Sequence, residues 1–180
     1  MSEDASLTGK PVAESAINEH VYKVFPNDLN ANDSVFGGLI MGLCDRLSLV
    51  VAERHSGRVC VTASIDSLHF TAPARANETL LFRVSLNRAW GSSMELGTKV
   101  VAENSYTGEH RHVVSAYMTF VALDEEGHPT EVPQVIPETA EQKRRFGEAD
   151  LRRQARLDMR SALKDYREGR STHNPTGELR

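Results

Sequence analysis

A chain of 180 residues that is 39% hydrophobic holds enough apolar side chains for one domain with its own core, which excludes a mainly disordered state and leaves little room for a second domain. With 21 Lys and Arg against 25 Asp and Glu, the net charge of −4 offers no basic excess to hold a nucleic-acid backbone. The two cysteines, Cys44 and Cys60, sit in apolar runs with no second Cys or close His at ligand spacing, so the expectation is buried free thiols in a reducing compartment, with no disulfide framework and no zinc site.

The chain begins MSEDASLTGKPVAES, acidic and polar where a secretion signal needs a basic start and an apolar run, and this predicts a cytoplasmic protein with a flexible segment over residues 1–20. An edge strand is expected over Val21 to Phe25. The polar loop NDLNANDS follows, and then GGLIMGLCDRLSLVVAERHSG, apolar on most faces over more than four turns and closed by Gly57, which predicts one long helix. Its apolar stretch, Val35 to Ala52, is interrupted by Asp45 and Arg46, so it reads as a buried helix and not as a membrane span.

Beyond Arg58 the period becomes two. A strand is expected from Arg58 to Phe70. Leu80, Phe82, Val84 and Leu86 alternate with more polar positions, then Met94, Leu96, Thr98 and Val100, then Val114, Ala116, Met118, Phe120 and Ala122. Turn residues at 90–92, 104–109 and 124–128 would reverse antiparallel strands. Pro129, Pro133 and Pro137 favour extended backbone and mark a boundary. Residues 1–137 hold ten basic and seventeen acidic side chains, whereas 138–170 hold ten basic and seven acidic, so a charged helix is expected from about Glu138 to Gly169. The expected fold class is α+β, an antiparallel sheet wrapped around one central helix, with a domain over 21–133, a mostly helical extension over 134–170 and a disordered tail over 171–180.

Asp45 is the chemically telling residue. At helical spacing its neighbours are Met41, Gly42, Ser48 and Leu49, an environment that would desolvate a carboxylate, raise its pKa and make it a base able to position a water. The competing structural role is a polar sliver beside Arg46. Gly37 and Gly38 open the helix, where free N–H groups favour an anion or a developing oxyanion; taken alone, the pair is better explained by close packing of helix on sheet. Asn30 and Asn32 fit turn chemistry, or a role in orienting a carbonyl or water. Arg88, Ser92 and Ser93 have the composition of a phosphate site and also of an ordinary hairpin surface. His69 has no nucleophilic serine elbow beside it, so a serine-hydrolase triad is not indicated.

The blocks NDLNANDSVFGGLIMGLCDRLS, VTASIDSLHF, GSSMELGTKVVAENSYTGEHR, AYMTFVALDEEGHP and VPQVIPET, in this order between about Val21 and Arg156, resemble the hotdog-fold acyl-CoA thioesterases of the YciA and YkhA type. The resemblance implies hydrolysis of acyl-CoA to free coenzyme A and a carboxylic acid without metal or other cofactor. It places the family's glycine motif on Phe36, Gly37 and Gly38, with the Gly38 N–H polarising the thioester carbonyl. Asp45 takes the place of the helix aspartate, general base or nucleophile, and Asn30 that of the loop asparagine. Thr62 and Ser64 would line the site of the adjoining subunit, and Ser92 and Ser93 the coenzyme A arm. Where relatives often carry glycine two residues before the V-F-G-G segment, this chain has Asp33. The resemblance also implies homo-oligomers, dimers at least and commonly trimers of dimers, with sites at the dimer interface, and neither nucleic-acid nor membrane partners.

The coenzyme A phosphates need positive charge, which Arg88, Arg144, Arg145, Arg152 and Arg153 would supply; the competing reading of those tail arginines is a solvated helix face. Two other functions compete. A non-catalytic acyl-CoA sensor usually carries a DNA-binding helix-turn-helix, for which twenty residues before Val21 are too few. A hydratase needs a His and Asp arrangement that Asp45 lacks within its helix.

Overall fold

The computed structural model describes residues 8–170, so the expected tail over 171–180 and the first seven residues lie outside it. Five strands, β2 (Ile17–Lys23), β3 (Val59–Phe70), β4 (Thr79–Trp90), β5 (Ser93–Asn104) and β6 (Glu109–Leu123), form one antiparallel sheet in the order β2-β4-β5-β6-β3. The sheet curls around α1 (Gly37–Ser56), and α2 (Ala140–Arg167) lies on its other face. This is the hotdog arrangement expected from the sequence.

Alternation and burial agree strand by strand. Leu80, Phe82, Val84 and Leu86 of β4, Met94, Leu96 and Val100 of β5, and Val114, Met118 and Phe120 of β6 are all buried on the inner face, the one that meets α1. The helix answers with a stripe of Ile40, Cys44, Ser48, Val51, Ala52 and His55. Ser48 is satisfied there by Thr98, 3.1 Å between hydroxyl oxygens. Both cysteines are free and buried, and burial pushes the Cys44 thiol up to about 12, with the neighbouring Asp45 charge adding to the effect. Gly57 ends α1 with φ 66°, a left-handed cap.

The N-terminal expectation needs correcting. The edge strand begins at Ile17, four residues ahead of Val21, and ends at Lys23 before Phe25. Residues within the segment expected to be flexible are tied down: β1 (Lys10–Pro11) pairs in parallel with β7 (Val135–Ile136), and Val12 and Ser15 are buried. Short-range patterning missed this because the partner lies about 125 residues downstream.

After the prolines, α2 starts with a capping box. Thr139 Oγ1 accepts from the Gln142 N–H at 3.1 Å, and Gln142 Oε1 accepts from the Thr139 N–H at 3.1 Å. The helix then crosses the outer face of the sheet from β4 towards β3, touching Ser85 and Arg88 first, Glu95 and Tyr117 next, and Asp66 at the β3 edge.

Candidate active site

Gly38, Gly42, Asp45 and Leu49 recur at three- and four-residue intervals and share one face of α1, set apart from the buried stripe. A Cβ built on Gly42 meets nothing within 4 Å, so this face is open between the glycines and the carboxylate. Asp45 is half-buried in the single chain, less enclosed than its apolar neighbours suggested, because Gly42 leaves the face bare. Its Oδ1 accepts a 2.6 Å hydrogen bond from Thr62 Oγ1 on β3. That bond orients the carboxylate and leaves the other oxygen available to a water or a substrate atom.

At the N-terminus of α1, Leu39 N–H donates to Phe36 C=O at 3.0 Å, whereas the N–H groups of Gly37 and Gly38 are the orphan donors of the first turn. The Phe36 ring lies over Gly38: a Cβ there would come within 2.4 Å of it. Gly37 lies against the ring of Phe70, 3.2 Å from its own would-be Cβ. Beside these groups is a cavity of about 420 Å³ with Asn30, Ser34 and Gly37 on its polar side and Ile40, Phe70 and Val113 on its apolar side.

Asn30 shapes the loop that holds this end. Its Oδ1 accepts from the Asn32 N–H at 2.8 Å and from the Ser34 hydroxyl at 3.2 Å, while its backbone N–H donates to Ser34 C=O at 2.8 Å. Asp33 adopts φ 53° within the same turn, a left-handed backbone that suits glycine and that Asp tolerates better than most residues.

Other expected residues lie elsewhere. Ser64 is two residues from Thr62, yet a β-bulge between them puts it on the outer face, where it donates to Asp66 at 2.5 Å. Ser92 lies in the β4–β5 turn and Ser93 opens β5, where its hydroxyl donates to Trp90 C=O at 3.1 Å. Arg88 is paired with Asp150 and stacked 4.0 Å from the Phe146 ring centroid, so its charge holds α2 and is not presented to a ligand. Arg144 pairs with Glu148 at 2.6 Å, Arg145 with Glu141 at 2.5 Å and Arg152 with Glu95 at 2.8 Å, and Arg153 stacks on Trp90. A larger groove, about 880 Å³, runs between the end of α2 and β3 on the outer face and includes neither Asp45 nor the glycines. Among the described residues no group of three His, Cys, Asp or Glu side chains is placed to hold a metal, and no helix is long and apolar enough to cross a membrane.

Sequence reasoning missed Phe70 and Gly42. The signal for Gly42 was present, as a glycine one turn before the aspartate of α1, whereas the contact of Phe70 with Gly37 depends on strand register. It also missed a buried acid, Glu95, because its strand position has the parity of a solvent-facing residue.

The fold and these residues have counterparts in known proteins. Residues 32–109 match the family model described as the Thioesterase superfamily. The chain is 39% identical over 120 residues to the "Uncharacterized acyl-CoA thioester hydrolase YkhA" of Bacillus subtilis, covering 67% of this chain and 70% of that one. Among solved structures, a hexameric acyl-CoA thioesterase in apo form superposes with a TM-score of 0.83 at 34% identity, covering 87% of this chain and 99% of that one. An acyl-CoA hydrolase from Staphylococcus aureus, solved with butyryl coenzyme A, coenzyme A and coenzyme A disulfide, gives 0.82 at 33% identity over 88% and 96%. That hydrolase has also been solved with an Asn, an Asp and a Thr each replaced by Ala, at positions fifteen and seventeen residues apart in chain order.

Proposed function

The chain belongs to the Thioesterase superfamily, and from that premise we propose that it is an acyl-CoA thioesterase that releases free coenzyme A and a carboxylic acid. The observation that carries this reading is the Asp45–Thr62 hydrogen bond on an open helix face. Asn30, Asp45 and Thr62 have the same residue types and the same fifteen- and seventeen-residue spacing as the three positions substituted in the Staphylococcus aureus hydrolase.

The chemistry follows from the groups present. A thioester carbon is already electrophilic, so one oriented carboxylate and one or two backbone donors suffice without a cofactor. Asp45, steadied by Thr62, deprotonates a water that attacks the carbonyl carbon, or attacks it directly to give a mixed anhydride that water then hydrolyses to the acid and free Asp45; in either case the negative charge moves to the carbonyl oxygen, which the Gly38 N–H receives. Collapse of the tetrahedral intermediate breaks the C–S bond and expels the coenzyme A thiolate. Phe36, beside Gly38, and the cavity at Gly37 would hold the acyl group and the neighbouring coenzyme A arm.

Gly38 and Asp45 of one chain are separated by seven residues, about 10 Å of helix rise, too far to act on one carbonyl whose oxygen sits about 3 Å from its donor. The reaction therefore needs Gly38 of one copy beside Asp45 of another. The free edge of β3 suits this: Val59, Val61, Ile65 and Phe70 are exposed along it, and a second β3 pairing there would bring two α1 helices together. We propose accordingly a homo-oligomer, a dimer at least and by likeness to the hexameric thioesterase a trimer of dimers, and, by likeness to a rat acyl coenzyme A thioester hydrolase named as cytosolic, a cytoplasmic protein.

Thiol release from a panel of acyl-CoA esters tests the reading. Turnover of at least one ester by the wild type, lost in Asp45→Asn, is the expected result; equal turnover in both would remove the mechanism.

A further inference from the structure

Strand β3 departs from regular pairing twice. Thr62 opposes Phe120 but Ser64 opposes Thr119, which leaves Ala63 as an extra residue; Ile65 opposes Met118 but Ser67 opposes Tyr117, which leaves Asp66 as a second. Each extra residue reverses which side chains face inward. The two reversals cancel, so both Thr62, ahead of the bulges, and Phe70, beyond them, face α1. There they meet Asp45 and Gly37 respectively. Loss of one bulge alone would turn one end of β3 away from the helix.

The second bulge is held from outside the strand. Asp66 is nearly fully buried, with its side chain 5% exposed. Its Oδ1 accepts from Ser64 at 2.5 Å and its Oδ2 from Thr119 on β6 at 2.7 Å, and the same Oδ2 pairs with Arg156 of α2 at 2.9 Å. Arg156 also reaches the buried Glu95 at 3.3 Å. Glu95 is held besides by Arg152 at 2.8 Å and by the Asn87 amide at 3.1 Å, and Arg152 stacks 3.8 Å from the Tyr117 ring centroid. A carboxylate on a bulged residue, gripped by donors from three elements, fixes the strand register at that point.

We propose that Asp66 and Arg156 are positioning residues: through them α2 holds the paired bulges of β3, and so keeps Thr62 aimed at Asp45. The proposal rests on the thioesterase reading for its catalytic consequence, while the bulge itself is measurable without turnover. It gives the charged C-terminal helix a role that reaches a site on the opposite face of the sheet.

The test compares Arg156→Ala, Arg156→Lys and Asp66→Asn with the wild type, using Arg83→Ala, an exposed pair with Glu19, as a control. Glu95 keeps Arg152 in the Arg156 variants, which protects the fold; Asp66→Asn keeps the side-chain volume and one acceptor oxygen, for either Ser64 or Thr119, and serves if Arg156→Ala does not fold. Amide exchange over residues 62–68 is expected to speed up in Arg156→Ala and Asp66→Asn and to return towards wild type in Arg156→Lys. Turnover is expected to show kcat lower by about tenfold or more with KM little changed, since a small misplacement near the reacting groups costs rate before binding. Faster exchange with wild-type kcat overturns the proposal and leaves the hydrolase intact, as does unchanged exchange in a folded Asp66→Asn. A wild type that hydrolyses no acyl-CoA ester overturns the thioesterase reading instead, and the exchange data then decide the bulge claim alone.

Discussion

Thr62 donates its hydroxyl hydrogen to Asp45 across 2.6 Å, joining the edge strand of the sheet to the middle of the central helix. A hydrogen bond to an ionised carboxylate restricts its rotation and leaves one oxygen directed at the open helix face. Asp45→Asn is expected to lower kcat by about a hundredfold or more, because the base or nucleophile is gone. Thr62→Ala should cost about tenfold, the loss of one charge-assisted hydrogen bond. Thiol release measured with both variants checks the order; a Thr62→Ala enzyme slower than Asp45→Asn would contradict it.

Gly38 has a specific steric reason to lack a side chain. A Cβ would lie 2.4 Å from Phe36 Cε1, over the N–H expected to receive the carbonyl oxygen. Gly38→Val should cut kcat/KM by about a hundredfold through loss of that donor's access. Circular dichroism should show a folded protein, since Phe36 is 60% exposed and its ring can swing away. A folded variant with wild-type rates would remove Gly38 from the site.

Arg88 is predicted to matter for stability and not for coenzyme A binding. It joins Asp150 and the Phe146 ring between β4 and α2. Arg88→Ala should lower stability by about 1–2 kcal/mol, within the range of a partly desolvated cation–π contact and its ion pair. Urea unfolding reads the loss, and KM for acyl-CoA should stay at its wild-type value.

His55 predicts an acid limb in the stability curve. It is buried with Nε2 hydrogen-bonded to Pro133 C=O at 2.8 Å, tying α1 to the segment that leads into β7. Burial lowers its pKa from 6.5; the Pro133 bond works in the opposite direction, Lys10 lowers it further and Glu14 raises it. The unfolded chain therefore binds the proton more readily. Stability from this group is complete above about 6.5 and falls as pH drops through the lower folded value. Urea midpoints from pH 7 to pH 5 should decline less steeply in His55→Gln than in the wild type.

Much of this was legible in the primary structure because it is local. The long helix between the glycines and Gly57, the alternation in β4, β5 and β6, and the helix after the prolines each follow from a repeat short enough to see within a dozen residues. Asp45 stood out for the same reason, as an acid on an apolar helix. Ser64 did not follow, since strict alternation puts it with Thr62 and only the bulge separates them. The contacts of Arg88 and Glu95 did not follow either, because what covers the outer face, α2, arrives about sixty residues later in the chain.

Sequence alone determined the two long helices and the long strands β3 to β6, that one carboxylate lies on an apolar helix, and that two glycines precede it, since each depends on residue type and period. Tertiary structure decided which faces those groups present. Strand pairing set Thr62 against Asp45 and a bulge turned Ser64 away, the docking of α2 turned outward-pointing acids and arginines into a buried network, and ten or so ångströms of helix rise between Gly38 and Asp45 make the proposed reaction a matter for two chains. Those outcomes rest on register and on contacts between residues distant in sequence, where burial and pairing energies act only once the chain has closed on itself.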